Sequence, residues 1–219
     1  NDIKRIYPDY SEAAGYELAG FVWFQGWNDY CDGWRYSADL GEKQYADYSE
    51  LLTHFIRDVR KALNAPEMPF VIGVAGQSGN FTPGAFDPRF KTEVKMKAFR
   101  NAMVAPAELP EFKGNVIPVQ TAPFWDHRLA ALELKLSKVH RMRKALAKKS
   151  QDAPDSKGKT TKEQRDKLVE KYKKELLTAE EEALLQRAMG TGGGVHYHGS
   201  AKFYAQAGKA FGEALIASR

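Results

Sequence analysis

The sequence predicts a three-layer α/β/α fold with a parallel sheet and an inserted helical hairpin. Short apolar runs bounded by Gly and Pro alternate with stretches of helical periodicity, which is typical of parallel strands covered on both faces. Between residues 129 and 188, two amphipathic stretches separated by a polar segment replace this alternation. We therefore predict an α/β domain, residues 1–128 and 189–219, and a helical hairpin, residues 129–188.

Each element follows from its local pattern. Continuous apolar runs predict three buried strands, over residues 20–25, 70–74 and 116–119. Apolar side chains at helical spacing predict three helices of the α/β domain, over residues 45–63, 90–104 and 200–216. Because strands alternate with helices, we expect a parallel sheet that binds ligands at the carboxyl ends of its strands.

The hairpin is predicted from two periodic stretches and the linker between them. Residues 129–146 carry apolar side chains on one helical stripe, residues 151–161 are polar, and a second helix continues through Leu168, Tyr172 and Leu176. Thr161 and Gln164 have the spacing of a helix capping box. The segment 128–187 contains 17 Lys and Arg against 10 Asp and Glu, whereas the rest of the chain contains 16 against 18.

The location of the charge bears on possible partners. The basic surplus is confined to the segment 128–187, which carries +7 against −2 in the rest of the chain, and it is mixed with acids, so it does not line a groove of the kind that binds nucleic acid. We interpret the hairpin charge as a solvated face, with a surface for an acidic polysaccharide or a partner protein as the alternative. No apolar run reaches the length of a transmembrane helix. The single cysteine, Cys31, excludes an internal disulfide and a multi-cysteine metal site.

Two loops carry the residue types that acyl transfer needs. In the segment Gln25-Gly26-Trp27-Asn28-Asp29, which we call the Asn block, a glycine N–H and an asparagine amide two positions apart suit an oxyanion site, although the same residues also favour a simple turn. In the Gly-rich segment before the last helix, a histidine at position 196 or 198 suits a general base, with a flexible loop of solvated histidines as the alternative. A metal site at these two histidines is disfavoured, because no third ligand accompanies them at helical spacing.

A serine also follows the second predicted strand. Ser78 lies in Gly76-Gln77-Ser78-Gly79, but the two glycines lack the spacing of a Gly-x-Ser-x-Gly nucleophile elbow. A simple loop is the preferred interpretation, with Ser78 as a weaker candidate nucleophile. Four aromatic residues near the predicted strand ends are candidates for sugar stacking or for packing: Trp27, Tyr30, Trp34 and Trp125.

Residues 18–29, LAGFVWFQGWND, resemble the third conserved block of SGNH hydrolases, in their sialate O-acetylesterase-like branch. Residues 195–202, VHYHGSAK, resemble the last block of that family, and residues 203–215 resemble its closing helix. The helical insertion is similar to that of planctomycete-like bacterial members. The resemblance implies an SGNH/flavodoxin-like α/β/α hydrolase that removes acetyl groups from carbohydrates through Ser, Gly, Asn and His, and it implies no cofactor.

Carried over to this sequence, the resemblance assigns four residues. Asn28 matches the oxyanion asparagine, His196 matches the general base, and Gln25 and Gly26 match the turn around the asparagine. Trp27 occupies a position where the family commonly has Glu. Gln25, Trp27 and Trp125 are accordingly predicted to contact substrate.

The sequence departs from the family pattern at the nucleophile and at the acid. The family serine lies in a Gly-Gln-Ser-Asn-like block before the Asn block, and residues 1–27 contain no such block. We therefore expect an N-terminally incomplete chain that is inactive alone, with the first strand and the serine outside it. The family often has Asp three positions before the histidine, where this chain has Gly193; Asp126 is the candidate substitute, and a dyad without an acid is the alternative.

The leading hypothesis is therefore a carbohydrate O-acetylesterase that acts on an acetylated carbohydrate. The alternative is a catalytically inactive carbohydrate-binding or scaffold module, which the missing serine block and acid favour. Neither a nucleic acid nor a membrane is expected as a partner. The family resemblance suggests a secreted or periplasmic protein.

Overall fold

A computed structural model describes residues 3–80, 93–151, 159–188 and 193–218. The chain divides into two compact units. The first unit comprises residues 1–74, 97–119 and 210–219. The second unit comprises residues 75–96 and 120–209, and so includes the whole of the predicted hairpin.

Three parallel strands form one sheet, in the order β1 (Phe21–Trp23), β2 (Phe70–Val74) and β3 (Val116–Gln120). In the β1–β2 pair, Phe21 lies opposite Phe70 and Trp23 lies opposite Ile72. All five residues of β2 are buried, as a central parallel strand requires. The predicted α/β class and its parallel sheet are confirmed.

Eight α-helices are described, and most of them lie where helical periodicity predicts them. In chain order they are α1 (Ile3–Ile6), α2 (Trp27–Cys31), α3 (Ala46–Ala62), α4 (Glu93–Val104), α5 (His127–Gln151), α6 (Lys162–Leu176), α7 (Ala179–Ala188) and α8 (Ala201–Ala217). Short 3₁₀ segments cover Ala38–Lys43, Ala105–Glu108, Pro110–Phe112, Ala122–Phe124 and Gly193–Gly199. The first residues of the predicted helix 90–104 lie outside the described residues.

Helices cover both faces of the sheet within the first unit. On one face, the ring of Phe55 from α3 lies 6.0 Å from the ring of Phe21 and 4.6 Å from that of Trp23. On the other face, the ring of Phe211 from α8 lies 5.4 Å from that of Phe24. Gly73 of β2 lets these two rings approach, since a Cβ there would lie 2.8 Å from the Phe211 ring. The first unit therefore has three layers.

An aromatic cluster adjoins the carboxyl end of β1. The ring of Phe99 from α4 lies 4.9 Å from the ring of Tyr45, 5.0 Å from that of Tyr48 and 5.7 Å from that of Tyr30. The hydroxyl of Tyr45 donates a hydrogen bond to the carbonyl of Tyr30, at 3.1 Å. Burial raises the pKa of all three tyrosines, so the cluster stays uncharged.

In the second unit, α5 and α6 form an antiparallel pair. Near the end of α5, Ser150 Oγ bonds both the N–H and the carbonyl of Thr160, and Arg165 of α6 donates to both residues. At the other end of the pair, Leu132 of α5 packs against Leu177. The chain therefore turns back on itself after α5.

The second helix of the predicted hairpin is interrupted. The capping box predicted at Thr161 is confirmed, because Gln164 N–H donates to Thr161 Oγ1 at 3.1 Å and Thr161 N–H donates to Gln164 Oε1 at 2.8 Å. A second capping box joins Thr178 and Glu181 and begins α7. The expected continuous helix is therefore two helices, because the second capping box starts a new one.

Candidate functional site

The Asn block connects β1 to α2. Gly26 precedes α2 with φ 144° and ψ −1°, a conformation that favours glycine. A Cβ at Gly26 would lie 2.7 Å from the Phe99 ring and 3.2 Å from the Tyr48 hydroxyl. Glycine is therefore required here by both the backbone and the available space. Through this close contact, the start of α2 packs against the aromatic cluster.

Asn28 is the second residue of α2, and its side chain is exposed. The neighbouring side chains are fixed by polar contacts: Gln25 Nε2 donates to Asp29 Oδ2 at 3.3 Å, and the Tyr36 hydroxyl donates to Asp29 Oδ1 at 3.5 Å. Burial, together with the Asp29 charge, raises the pKa of Tyr36. The Tyr48 hydroxyl donates to the Gln25 carbonyl at 3.4 Å. The block is thus a fixed turn that presents the Asn28 amide to solvent.

The aromatic candidates differ in exposure. Trp34 is 93% exposed, and Trp27 is half-buried with its ring 5.2 Å from that of Tyr30. Tyr30 is 1% exposed and Trp125 is 5% exposed. Trp34 and Trp27 therefore present aromatic surface that a sugar can reach in this conformation, whereas Tyr30 and Trp125 serve the packing of their units.

In the second unit, the loop after β2 is buried and contacts the segment before α8. Gly76 N–H donates to the Tyr197 hydroxyl at 3.2 Å, and Gln77 Nε2 donates to the Val195 carbonyl at 3.3 Å. Ser78 is 3% exposed and has φ 70°, a left-handed backbone that is uncommon for a non-glycine residue. The loop that carries Ser78 is therefore held by hydrogen bonds to residues more than 100 positions later in the sequence.

The loop after β3 contributes Asp126, whose carboxylate has two described partners. Its Oδ1 accepts the Leu129 N–H at 3.0 Å and so caps the start of α5, and its Oδ2 accepts the Ser200 hydroxyl at 3.0 Å. Asp126 thereby joins α5 to the start of α8. Its predicted role as the acid partner of His196 stays a prediction.

Residues 193–200, which we call the histidine loop, place their two histidines in different surroundings. His196 is exposed, and its carbonyl accepts the Tyr204 hydroxyl at 3.3 Å. His198 is 3% exposed, and its Nδ1 lies 3.2 Å from Glu133 Oε2. Between them, the ring of Tyr197 stacks on that of Phe203 at 3.8 Å. Sequence reasoning found both histidines but not Glu133, which lies on the helix α5.

The predicted site residues fall into two groups. Gln25, Gly26, Trp27 and Asn28 belong to the first unit, and Ser78, Trp125, Asp126 and His196 belong to the second. Within the second group, the loops after β2 and β3 and the histidine loop contact one another. The predicted proximity of Asn28 and His196 stays a prediction.

The described part of the chain has neither a clustered metal site nor a membrane-spanning helix. Across it, no group of three or more His, Cys, Asp or Glu side chains is placed to hold a metal ion. Among the helices described, none is long and apolar enough to cross a membrane.

The comparison with known families identifies the chain. Residues 3–113, just over half of its length, match the family described as carbohydrate esterase, sialic acid-specific acetylesterase. The matched region contains the whole Asn block. No significant match to a curated protein or to a solved structure was found. The match confirms the resemblance found in the Asn block, and the chain belongs to the family of sialic acid-specific acetylesterases, a family of carbohydrate esterases.

Proposed function

We propose that the protein hydrolyses acetyl esters on sugars by serine acyl transfer. The observation that carries this proposal is the family match over residues 3–113, because it spans the segment that offers an amide and a glycine N–H for an oxyanion. The substrate class, an acetylated carbohydrate, follows from the family.

The reaction has two steps, each passing through a tetrahedral oxyanion. A serine hydroxyl attacks the ester carbonyl carbon while the general base accepts the hydroxyl proton, and collapse of the intermediate expels the sugar hydroxyl, which takes that proton. Water then attacks the acetyl-enzyme, the base accepts a proton from the water, and acetate leaves as the serine regains its proton.

Asn28 is proposed as the side-chain donor to the oxyanion, with the Gly26 N–H beside it. The exposure of Asn28 and the fixed turn around Gln25 and Asp29 support this role, because a donor that is already in place needs no reorganisation when charge develops. Gln25 and Trp27, on the same turn, are proposed to contact the sugar. Trp34 joins them as a stacking surface because it is 93% exposed.

His196 is proposed as the general base, with Asp126 as the candidate acid. The exposure of His196 supports the assignment, since a base has to reach both a hydroxyl and a water. Trp125 is only 5% exposed, so its predicted contact with the substrate stays a prediction.

We propose that Ser78 is not the nucleophile and that residues 1–219 alone do not turn over a serine-esterase substrate. Ser78 follows the Asn block in the sequence, and its side chain is buried. A fluorophosphonate probe, which labels activated serines covalently, tests this on the 219-residue chain and on the complete product of the gene. We expect labelling of the complete product only. Labelling of the 219-residue chain that is lost in both Ser78→Ala and His196→Ala would make Ser78 the nucleophile.

Acetate release from O-acetylated sugars tests the function itself. The complete gene product is expected to release acetate, and its Asn28→Ala variant is expected to be strongly impaired. Binding of the sugar without acetate release would instead support the alternative of a carbohydrate-binding module.

A further inference from the structure

The histidine loop is held by a carboxylate from outside the loop. His198 Nδ1 lies 3.2 Å from Glu133 Oε2, and the exposed fractions of the two side chains are 3% and 17%. The His198 ring also lies 4.6 Å from that of Trp125. A buried imidazole that contacts a mostly buried carboxylate is favoured in one orientation, because both groups have lost hydration that a polar contact can replace.

The same carboxylate meets the start of the loop. A Cβ at Gly193 would clash with Glu133 Oε1, and Gly193 has φ +69°, which disfavours any side chain there. Glu133 therefore contacts the loop at Gly193 and again at His198, five positions later. Glycine at position 193 makes room for the carboxylate.

The backbone between these contacts has an uncommon shape. Tyr197 and His198 have φ 52° and φ 58°, two successive non-glycine residues in the left-handed region. Such a conformation persists only when the surroundings fix it. Tyr197 is fixed by its contacts with Gly76 and Phe203, and His198 is fixed by Glu133. The position of His196, which directly precedes this pair, depends on both.

The remaining nitrogen of His198 indicates the tautomer. Its Nε2 is buried and has no hydrogen-bond partner among the described residues. A proton on Nε2 would be a buried donor without an acceptor, whereas a proton on Nδ1 would face the carboxylate oxygen Oε2 of Glu133, 3.2 Å away. The favoured form of His198 therefore carries its proton on Nδ1.

We propose that Glu133 and His198 form a positioning dyad: Glu133 holds His198 as the Nδ1-protonated tautomer and so fixes the histidine loop in the shape that presents His196. The purpose of the dyad rests on the proposed esterase function, but its existence does not. Glu133 is thus a positioning residue supplied by α5.

The dyad is tested on the 219-residue chain with ¹⁵N-labelled histidine. Long-range ¹H–¹⁵N correlation spectra report the tautomer of each ring, and His196→Gln and His198→Gln identify the signals. We expect a single Nδ1-protonated form for His198 and an average of both tautomers for the exposed His196. An Nε2-protonated or averaged His198 in the unmodified chain overturns the proposal, whatever the variants do.

Two variants remove the dyad by different routes, and each has a matched control. Glu133→Leu removes the acceptor, with Glu163→Leu on the exposed face of α6 as its control. Gly193→Ala displaces the carboxylate without changing either partner, and Gly15→Ala controls for its backbone strain, because Gly15 has φ +67° and nothing within 4 Å of a Cβ. We expect both dyad variants to shift the His198 signals toward the tautomer average and both controls to leave them unchanged. An unchanged His198 signal in both dyad variants overturns the proposal.

Acetate release by the complete gene product tests the purpose of the dyad. We expect Glu133→Leu to lower kcat on the order of 10²-fold with KM unchanged, because the loop that carries His196 is misplaced. An unchanged kcat would overturn the positioning role. If the unmodified enzyme releases no acetate, the proposed function fails, while the spectra still decide whether the dyad exists.

Discussion

The Asn block of the first unit rests through a glycine on an aromatic cluster, whereas the histidine loop of the second unit is held by polar contacts as well as by ring stacking. Gly26 rests on the Phe99 ring. The histidine loop instead depends on the pairs Gly76–Tyr197 and Glu133–His198, in which the partners lie 121 and 65 positions apart. Substitutions that remove buried volume should therefore lower the stability of the first unit most. Substitutions that remove single polar atoms should lower the stability of the second unit most.

Only one of the two regions falls within the family match. The Asn block lies inside the matched residues 3–113, and the histidine loop and α5 lie outside them. The residues that hold the Asn block, Tyr48 and Phe99, also lie within the matched segment. Glu133, which contacts the histidine loop, lies outside it on α5.

The largest expected effect on stability is that of Phe99→Ala. Phe99 is fully buried and contacts three tyrosines of the aromatic cluster. Its truncation should lower the free energy of unfolding by about 3–5 kcal/mol, measured by urea denaturation. Val94→Ala on the same helix is the control, because Val94 is 78% exposed. Equal effects of the two substitutions would show that the cluster does not support the first unit.

Asn28→Ala should leave stability nearly unchanged and reduce catalysis. Because Asn28 is exposed, its truncation removes little packing. Loss of an oxyanion donor should lower kcat for acetate release on the order of 10²–10³-fold in the complete gene product. Asn101→Ala, at an exposed position of α4, is the matched control. Turnover like that of the unmodified enzyme in Asn28→Ala would remove the oxyanion role and leave the Asn block as a structural turn.

Local pattern was sufficient to predict the secondary structure that builds the sheet. The predicted strand 70–74 coincides with β2, and the predicted helix 45–63 differs from α3 by one residue at each end. The strand is a continuous apolar run buried on both faces, and the helix has strong helical periodicity with one buried face, so tertiary contacts reinforce the local preference in each. The break before α7 was missed although Thr178 and Glu181 have the spacing of a capping box, because the apolar pattern continues across it.

The partners of the site residues could not be predicted in the same way. Glu133 appears in the sequence as one acid in a basic amphipathic helix, and nothing local distinguishes it from the solvated charges around it. Tyr36, which bonds Asp29, and Tyr197, which bonds Gly76, act through contacts that depend on the folded arrangement of loops. The sequence therefore supplied the candidate residues, and the structure supplied the groups that orient them.

Gly73→Ala tests the packing of the first unit by adding buried volume, whereas Phe99→Ala removes it. A Cβ at Gly73 would clash with the Phe24 ring and lie 2.8 Å from the Phe211 ring, so overpacking should lower the free energy of unfolding by about 1–3 kcal/mol. Gly212→Ala in α8 is the control, because nothing lies within 4 Å of a Cβ there. That substitution should instead stabilise the protein by about 0.5–1 kcal/mol through helix propensity. A neutral Gly73→Ala would indicate that α8 moves away from the sheet easily.

Thr178→Ala tests whether single polar atoms hold the second unit. The substitution removes the hydroxyl that accepts the Glu181 N–H and should lower the free energy of unfolding by about 1 kcal/mol. Thr178→Ser keeps the acceptor and should restore most of the loss, measured by thermal unfolding. An equal loss in both variants would assign the effect to the threonine methyl group rather than to the cap.

The smallest expected effect is a pH dependence of stability that originates at Glu181. Lys135 Nζ donates to Glu181 Oε1 at 2.8 Å, and this hydrogen bond, together with that from Thr178, lowers the pKa of Glu181. A carboxyl group whose pKa is lower in the folded state stabilises the protein above its unfolded pKa, and this contribution is lost as the pH falls through its folded pKa. Lowering the pH from about 5 to about 3 should therefore weaken the packing of α7 on α5.

Lys135→Met separates this contribution from the other carboxyl groups of the chain. The variant keeps much of the apolar stem of Lys135 while removing its charge, so the pKa of Glu181 should rise toward its ordinary value and part of the stability lost between about pH 5 and about pH 3 should disappear. Lys138→Met, at an exposed position of the same helix, should leave the pH dependence unchanged. Added salt should reduce the difference between the two variants, because the Lys135–Glu181 pair is partly exposed and its attraction is screened. If both variants have the same pH profile at low salt, the Lys135–Glu181 bond does not hold α7, and the leucine contacts between the helices are sufficient.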